Sequence, residues 1–241
     1  METHRYLIVN ADDFGQSPAV NRGISEAHRR GIVTSASLVT RGLAAEDAAA
    51  YSARHPGFSL GLHVDLGEWT FRGGQWVPVY QVVPLDDLQS ITREAAQQLA
   101  EFRRLIGRDP SHLDSHQHVH RREPVRSILL ALSDDLQIPL RHFSSNVRYC
   151  GDFYGQTHDG SPIPDAISTP GLIAVLGAIP EGITELACHP GYGEDLPNAM
   201  YHHEREKEVR VLCDQRIRAT LTDQGITLCA FHDLAAILER H

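Results

Sequence analysis

The stretch "HLDSHQHVH", residues 112–120, places four histidines and an aspartate in nine positions. Imidazoles bind divalent metals and move protons near neutral pH. The chain has fifteen histidines, so abundance alone marks nothing, but this crowding does. Read as a strand, His112, Asp114, His116, His118 and His120 share one face, and Leu113, Ser115, Gln117 and Val119 the other. A surface strand could show the same alternation. Inside an α/β chain, however, so many imidazoles are costly to bury without partners. A metal site, a proton-transfer site or both is therefore expected. His116 and His118 lie nearest the expected strand end. Two imidazoles and a carboxylate are a common ligand set for a divalent ion with open positions. Asp114 would orient a ligand imidazole from behind.

Three further segments carry candidate chemistry. "NADDFG" holds Asp12 and Asp13. An isolated pair of this kind is commonly a solvated turn, but here an apolar strand leads into it. On a regular strand the two side chains would point to opposite faces. Gly15 permits a sharp turn that brings both to one site, and the residues alone leave open which would bind metal. His63 in "GLHVDL" would, taken alone, be a core histidine. His189 in "ACHPGY" is either packed against the turn at Pro190 and Gly191 or a general acid. His232 in "FHDL" reads better as a helix cap with Asp233 than as a site residue.

The elements that would position these residues alternate. Strands are expected at "YLIVNAD", "SASLVT", "SLGLHVDL", "HLDSHQHV", "PLRHF", "GITELACHPG" and "ITLCAF". Helices are expected at "SPAVNRGISEAHRRG" (Ser17 as N-cap, Pro18 first, Gly31 at the end), "AAEDAAAYSARH", 85–106, "EPVRSILLALSDDL", 201–222 and "DLAAILER". Residues 144–165 read as irregular. Seven strands alternating with helices indicate an α/β fold with a mostly parallel sheet. An open doubly wound sheet stays as an alternative, although "NADDFGQS" would repel a phosphate where that fold cradles one. In a parallel sheet or barrel the carboxyl ends of the strands lie on one face, where sites are built. "NADD", "GLHVDL", "DSHQH" and "CHPG" all fall at such ends.

The 241 residues fit one large domain or two small ones, an α/β barrel of this length being commonly one domain, and 41% hydrophobic residues suffice for a core. A net charge of −9 argues against nucleic-acid binding. No apolar run approaches a membrane span, and "METHRYLIVNADD" is not expected to be a secretory leader. Cys150, Cys188, Cys213 and Cys229 lack paired spacing, so free thiols in a reducing cytoplasm are expected. "GEWTFRGGQWVPVY" holds Trp69, Phe71, Trp76 and Tyr80, which would stack on sugar rings or fold onto one another. Arg148, Tyr149 and Tyr154 are candidates for a second wall.

"LIVNADDFGQSPAVNRGISEAHRRGIVTSASLV", "GLHVDL", "HLDSHQHVH" and "CHPGY" together resemble the YdjC-like carbohydrate deacetylases, a family that includes deacetylases associated with hopanoid biosynthesis. The resemblance runs from about residue 6 to 192; the "FHDL" ending departs from the arginine- or tyrosine-containing endings of the family. It implies one domain over 1–241, a distorted (β/α) barrel of about seven parallel strands. It also implies a divalent metal, magnesium in the family, held by Asp13, His63 and His116, with Asp12 as general base. His118 is the alternative ligand. On chemical grounds zinc or another transition metal suits two imidazoles better. The implied reaction is metal-assisted hydrolysis of an N-acetyl group on an amino sugar. Asp12 would take the proton of the attacking water, and His189 would protonate the departing amine. Trp69, Trp76, Arg148 and Tyr154 would contact the sugar. Two alternatives stand: an amidase or esterase on a non-sugar substrate, and a metal-dependent sugar-binding protein without turnover. The two aspartates speak against the latter. The expected partner is a small carbohydrate, with no nucleic acid and no membrane; a homodimer is left open.

Overall fold

A computed structural model describes residues 4–196 and 199–239. The elements are β1 (Arg5–Phe14), α1 (Pro18–Arg30), β2 (Ser35–Leu38), α2 (Ala45–Ala53), β3 (Ser59–Val64), β4 (Gly67–Arg72), β5 (Gln75–Gln81), α3 (Leu88–Ile106), β6 (Leu113–Ser115), α4 (Val125–Leu136), β7 (Val147–Cys150), α5 (Thr169–Gly177), β8 (Gly182–Cys188), α6 (His203–Leu212), α7 (Gln215–Asp223), β9 (Ile226–Cys229) and α8 (Leu234–Leu238). The main sheet is parallel, in the order β6-β3-β2-β1-β8-β7. β9 joins β1 through Arg5–Ile8, while β2 pairs with β1 from Asn10 onward.

One side chain shows how far this sheet curls. β6 and β8 are four strands apart, about 19 Å in a flat sheet at the usual inter-strand spacing. Yet Nη2 of Arg141 lies 2.8 Å from Asp114 of β6 and 2.6 Å from Glu185 of β8. The sheet is therefore a partly open, distorted barrel. The rows of β1 show its two faces. Leu7, Val9 and Ala11 pack outward with Val20, Ile24 and Ala27 of α1. Tyr6 and Ile8 pack with Val147, Ile183, Phe231, Leu234 and Ile237, which fill the amino-terminal end of the barrel. Asn10 and Asp12 continue that row among polar groups: the Asn10 amide donates to Ser37 (2.8 Å) and Asp12 (3.0 Å).

The expected helices form with their caps. The Ser17 hydroxyl accepts from Val20 N, and α3 starts three residues later than expected because Asp87 accepts from Gln89 N and Ser90 N. Several expectations are corrected. The helix expected over 201–222 breaks at Cys213 and Asp214, where the Asp214 carboxylate caps α7. "PLRHF" makes only a parallel bridge between Leu140 and Leu113, and the outer strand is β7, inside the stretch read as irregular. β4 and β5 form a separate antiparallel hairpin, and α5 lies in a segment left unassigned. The strand expected over 112–119 ends at Ser115 and becomes a 3-10 turn, His116–Arg121. The shared face of His112, Asp114, His116, His118 and His120 is thus lost after Asp114. Arg240, the end of the last expected helix, lies outside the described residues. Among the described residues no helix is long and apolar enough to cross a membrane.

Candidate active site

Strict alternation on β1 would send Asp13 outward, opposite to Asp12. Instead Asp13 has φ +69°, at a register shift between β1 and β2. Aspartate tolerates this left-handed backbone better than most residues. The turn thus begins at Asp13 itself, two residues before Gly15. Both carboxylates line one cleft of about 1160 Å³.

Asp13, His63 and His116 each offer a ligand atom within 4.8 Å of the others. Asp13 Oδ1 lies 3.0 Å from His116 Nδ1 and 3.4 Å from His63 Nε2. His63 sits near the end of β3, and its Nδ1 is 2.7 Å from Asp114, which leaves Nε2 turned toward Asp13. The second oxygen of Asp13 accepts from Arg205 at 2.6 Å. Burial alone would raise the Asp13 carboxyl, but Arg205 and the His116 and His63 rings outweigh it and hold it well below the usual range. Burial alone would lower His63 and His116; Asp114 and Asp13 outweigh it and raise both. His116 Nε2 is buried with no hydrogen-bond partner among the described residues. Asp13 Oδ1, His63 Nε2 and His116 Nδ1 make a donor set that fits a divalent metal ion.

His118 is not part of this group. Gln117 (φ +49°) and His118 (φ +53°) both have left-handed backbone, which swings His118 away from His116. Its ring lies near His120 and His142 instead, with centroids 5.7 and 5.1 Å away. Burial pushes His120 down to about 3 and His142 to about 4, and lowers His118 further.

Arg141 organises the interior. Nη1 and Nη2 donate to the two oxygens of Asp12 at 2.6 and 2.7 Å, and Nε donates to Glu185 at 2.8 Å. Its own positive state is secured against burial by Asp114, Asp12 and Glu185. Burial pushes Glu185 up to about 7 and Glu208 to about 8. Glu208 accepts from the His189 backbone N–H and the Tyr201 hydroxyl, fixing the turn after β8. There His189 Nε2 stands 3.7 Å from Asp12 Oδ2. Burial pushes this imidazole down to about 4.

Sequence reading missed Arg141, Arg205, Glu185 and Glu208. Glu185 had a signal, a lone acid inside the apolar run of β8. Arg205 sits in the charge-rich "HHEREKEVR" and had none.

The expected substrate residues Trp69, Trp76, Arg148 and Tyr154 line the same cleft as Asp12, Asp13 and His189. The hairpin carries Trp69 and Trp76. Gln117, in the turn after His116, holds it by accepting from Trp69 N (2.9 Å) and donating to Trp69 O (2.8 Å). Tyr154 packs beside the His189 ring, centroids 5.3 Å apart. His232 lies apart from these groups, 3.5 Å from Asp233, whose carboxylate accepts from Ala230 N.

The chain is similar to known proteins over nearly its whole length. A carbohydrate deacetylase of Geobacillus stearothermophilus is 33% identical over 95% of this chain and 98% of its own. A chitooligosaccharide deacetylase of Klebsiella pneumoniae (strain 342) is 32% identical over 95% and 99%. Among solved structures, an Enterococcus faecalis V583 protein named for cellobiose-phosphate cleavage superposes with a TM-score of 0.79 at 28% identity, over 96% of this chain and 99% of that one. A family 4 carbohydrate esterase of Streptomyces lividans shares the fold, with a TM-score of 0.56 at 12% identity over 95% and 93%. A family profile described as YdjC-like protein matches residues 6–223, a span that includes β1, β3, the histidine turn and β8. With that match over most of its length, the chain belongs to the YdjC-like family.

Proposed function

We propose that this chain, residues 1–241 acting as one unit, is a metal-dependent carbohydrate deacetylase. It hydrolyses the N-acetyl group of an amino sugar or N-acetylated oligosaccharide to acetate and the free amine. The observation that carries this reading is the meeting of Asp12, Asp13, His63 and His116 in one aromatic-walled cleft. Its volume, about 1160 Å³, exceeds that of most small-molecule sites and has room for more than one sugar ring. The similar proteins named as carbohydrate and chitooligosaccharide deacetylases support the same substrate class.

Asp13, His63 and His116 would hold the ion, which when bound supplies polarisation of the acetyl carbonyl and a water of lowered pKa. Two imidazoles and one carboxylate favour zinc or a related transition metal over magnesium. Asp12 takes the proton of the attacking water. Arg141 fixes both Asp12 oxygens; Oδ1 also accepts from the Asn10 amide, and Oδ2 keeps a further lone pair for that proton. Arg205 holds the second oxygen of Asp13, which keeps Oδ1 aimed at the two imidazoles. His189 delivers a proton to the departing nitrogen as the C–N bond breaks. Its pKa of about 4 leaves the ring neutral near pH 7, so that proton is one it takes up during the reaction. Asp12, 3.7 Å away, is its nearest acidic source. Trp69, Trp76, Arg148 and Tyr154 orient the sugar. The four unpaired cysteines support a cytoplasmic setting.

The test separates the two aspartates. Asp12→Asn keeps shape and removes the base, so metal should still bind while turnover falls by about 10²-fold or more. Asp13→Asn removes a charged ligand, so metal affinity should fall first and added metal should partly restore acetate release. Rescue of Asp12→Asn by metal, with none for Asp13→Asn, would reverse the roles. Near wild-type rates in both would sink the mechanism. Turnover of small amides with none of N-acetylated sugars would redirect the reading to a non-sugar amidase.

A further inference from the structure

We propose that His118, His120 and His142 form a second metal site, specific for a zinc-class ion and separate from the Asp13 group. One ring nitrogen from each of the three lies within 4.8 Å of the others. The ring centroids form a nearly equilateral triangle with sides of 5.1, 5.4 and 5.7 Å. Imidazoles bound tetrahedrally at about 2.1 Å would have donor nitrogens about 3.4 Å apart and centroids about 5 Å apart. The triangle is already near that size.

Each ring also has a buried nitrogen that no described residue satisfies: His118 Nδ1, His120 Nε2 and His142 Nε2. Leaving a buried polar atom unpaired is unfavourable, and such atoms are rare in folded proteins. Three in one cluster share a single explanation if they face a common ion. The far side of two rings is arranged as metal-binding histidines require. His120 Nδ1 is 2.7 Å from Ser115 Oγ, and His118 Nε2 is 3.3 Å from Tyr149 Oη. A proton on each of those nitrogens leaves the opposite one with its lone pair.

The backbone points the same way. His118 and His142 both have left-handed φ, +53° and +70°, which is uncommon for residues with a side chain. Strained backbone of this kind clusters at ligand clamps. The donor set decides the ion. Three imidazoles with no carboxylate suit zinc, cobalt, nickel or copper and are poor ligands for magnesium or calcium. Arg121 and Arg141 are the nearby cations that would oppose an ion, Arg141 packing over the Tyr149 ring at 5.4 Å. The charge of Arg141 is matched by Asp12 and Asp114. His118, His142 and Tyr149 line the same cleft as Asp12 and Asp13.

The experiment counts ions directly. Purified protein is stripped with a chelator, then titrated with Zn²⁺ by calorimetry, with elemental analysis after dialysis. Wild type should bind two ions per chain. His142→Phe should bind one, and a His63→Ala variant should also bind one. Co²⁺ loaded into His63→Ala should give the strong visible absorption of a tetrahedral site, and His142→Phe/His63→Ala should lose it. Should His142→Phe fail to fold by circular dichroism, His118→Ala provides the same comparison. Two ions retained in folded His142→Phe would overturn the second site, and so would a single wild-type ion that His63→Ala abolishes. A single ion that survives in His63→Ala and disappears in His142→Phe would support the second site while contradicting the Asp13 group.

Discussion

Arg141→Lys keeps a positive charge in the barrel but replaces a planar fork by a single ammonium. The guanidinium reaches both Asp12 oxygens at 2.6 and 2.7 Å, Glu185 at 2.6 and 2.8 Å and Asp114 at 2.8 Å. An ammonium has three donors and cannot reproduce that set. Losing two charge-assisted hydrogen bonds removes about 3–6 kcal/mol. In a chain of this length that lowers Tm by roughly 6–24 °C. Removing the charge altogether, as in Arg141→Met, would leave buried carboxylates unpaired and risks the fold, so lysine is the informative variant. Asp12 would lose one of its two hydrogen bonds from residue 141, and turnover should fall by about 10²-fold, the lower end of what a positioned base supplies. Metal at the Asp13 group should persist, because Arg205 and not Arg141 holds Asp13. The assay combines acetate release, elemental analysis and a melting curve on the same preparation. Wild-type turnover with a lowered Tm would refute the claim that the Arg141 fork orients the base. Loss of metal in parallel with turnover would place the effect of Arg141 at the ion, through Asp114 and His63.

Two further predictions concern groups whose protonation is displaced by burial. His189→Ala should cost about 10²-fold or more on N-acetylated sugars and far less on activated acetyl esters, whose leaving groups need no proton; equal losses would remove His189 from the acid role. Glu185 is pushed from 4.5 to about 7, so the folded chain keeps a proton that the unfolded chain releases across that range. The stability this contributes is complete below pH 4.5 and is lost as pH rises through 7, about 3 kcal/mol in all. Glu185→Gln should therefore gain on wild type by that amount between pH 4.5 and 8.5 in urea unfolding, and a pH-independent difference would show that the carboxyl is not displaced.

The strand ends were legible because apolar runs that stop at acids or histidines report where a buried strand meets the site. "LIVNADD", "GLHV" and "ELACH" put Asp12, Asp13, His63 and His189 at one mouth, and the structure brings them together there. The hairpin also had a signal. Gly73 and Gly74 adopt φ +59° and +81°, the paired left-handed values of a tight hairpin turn. The two glycines stand between the aromatic runs in the sequence, the spacing of a hairpin.

What periodicity could not supply is the backbone handedness at single residues. Asp13 faces the site only because its own φ is positive, and an aspartate tolerates that conformation without announcing it. The histidine run misled for the same reason. Period-two alternation assumes a continuing strand, and two consecutive left-handed residues at Gln117 and His118 end that assumption. Their conformation is set at a distance, since the Gln117 side chain is clamped to the Trp69 backbone, forty-eight residues earlier. A tertiary contact thus divides one sequence motif between two groups: His116 goes to the carboxylate of β1, while His118 and His120 meet His142 from a different segment. Arg141 follows the same logic. Nothing local in "PLRHF" distinguishes it, and its role exists only once the sheet has curled enough for β1, β6 and β8 to present their carboxylates to one guanidinium.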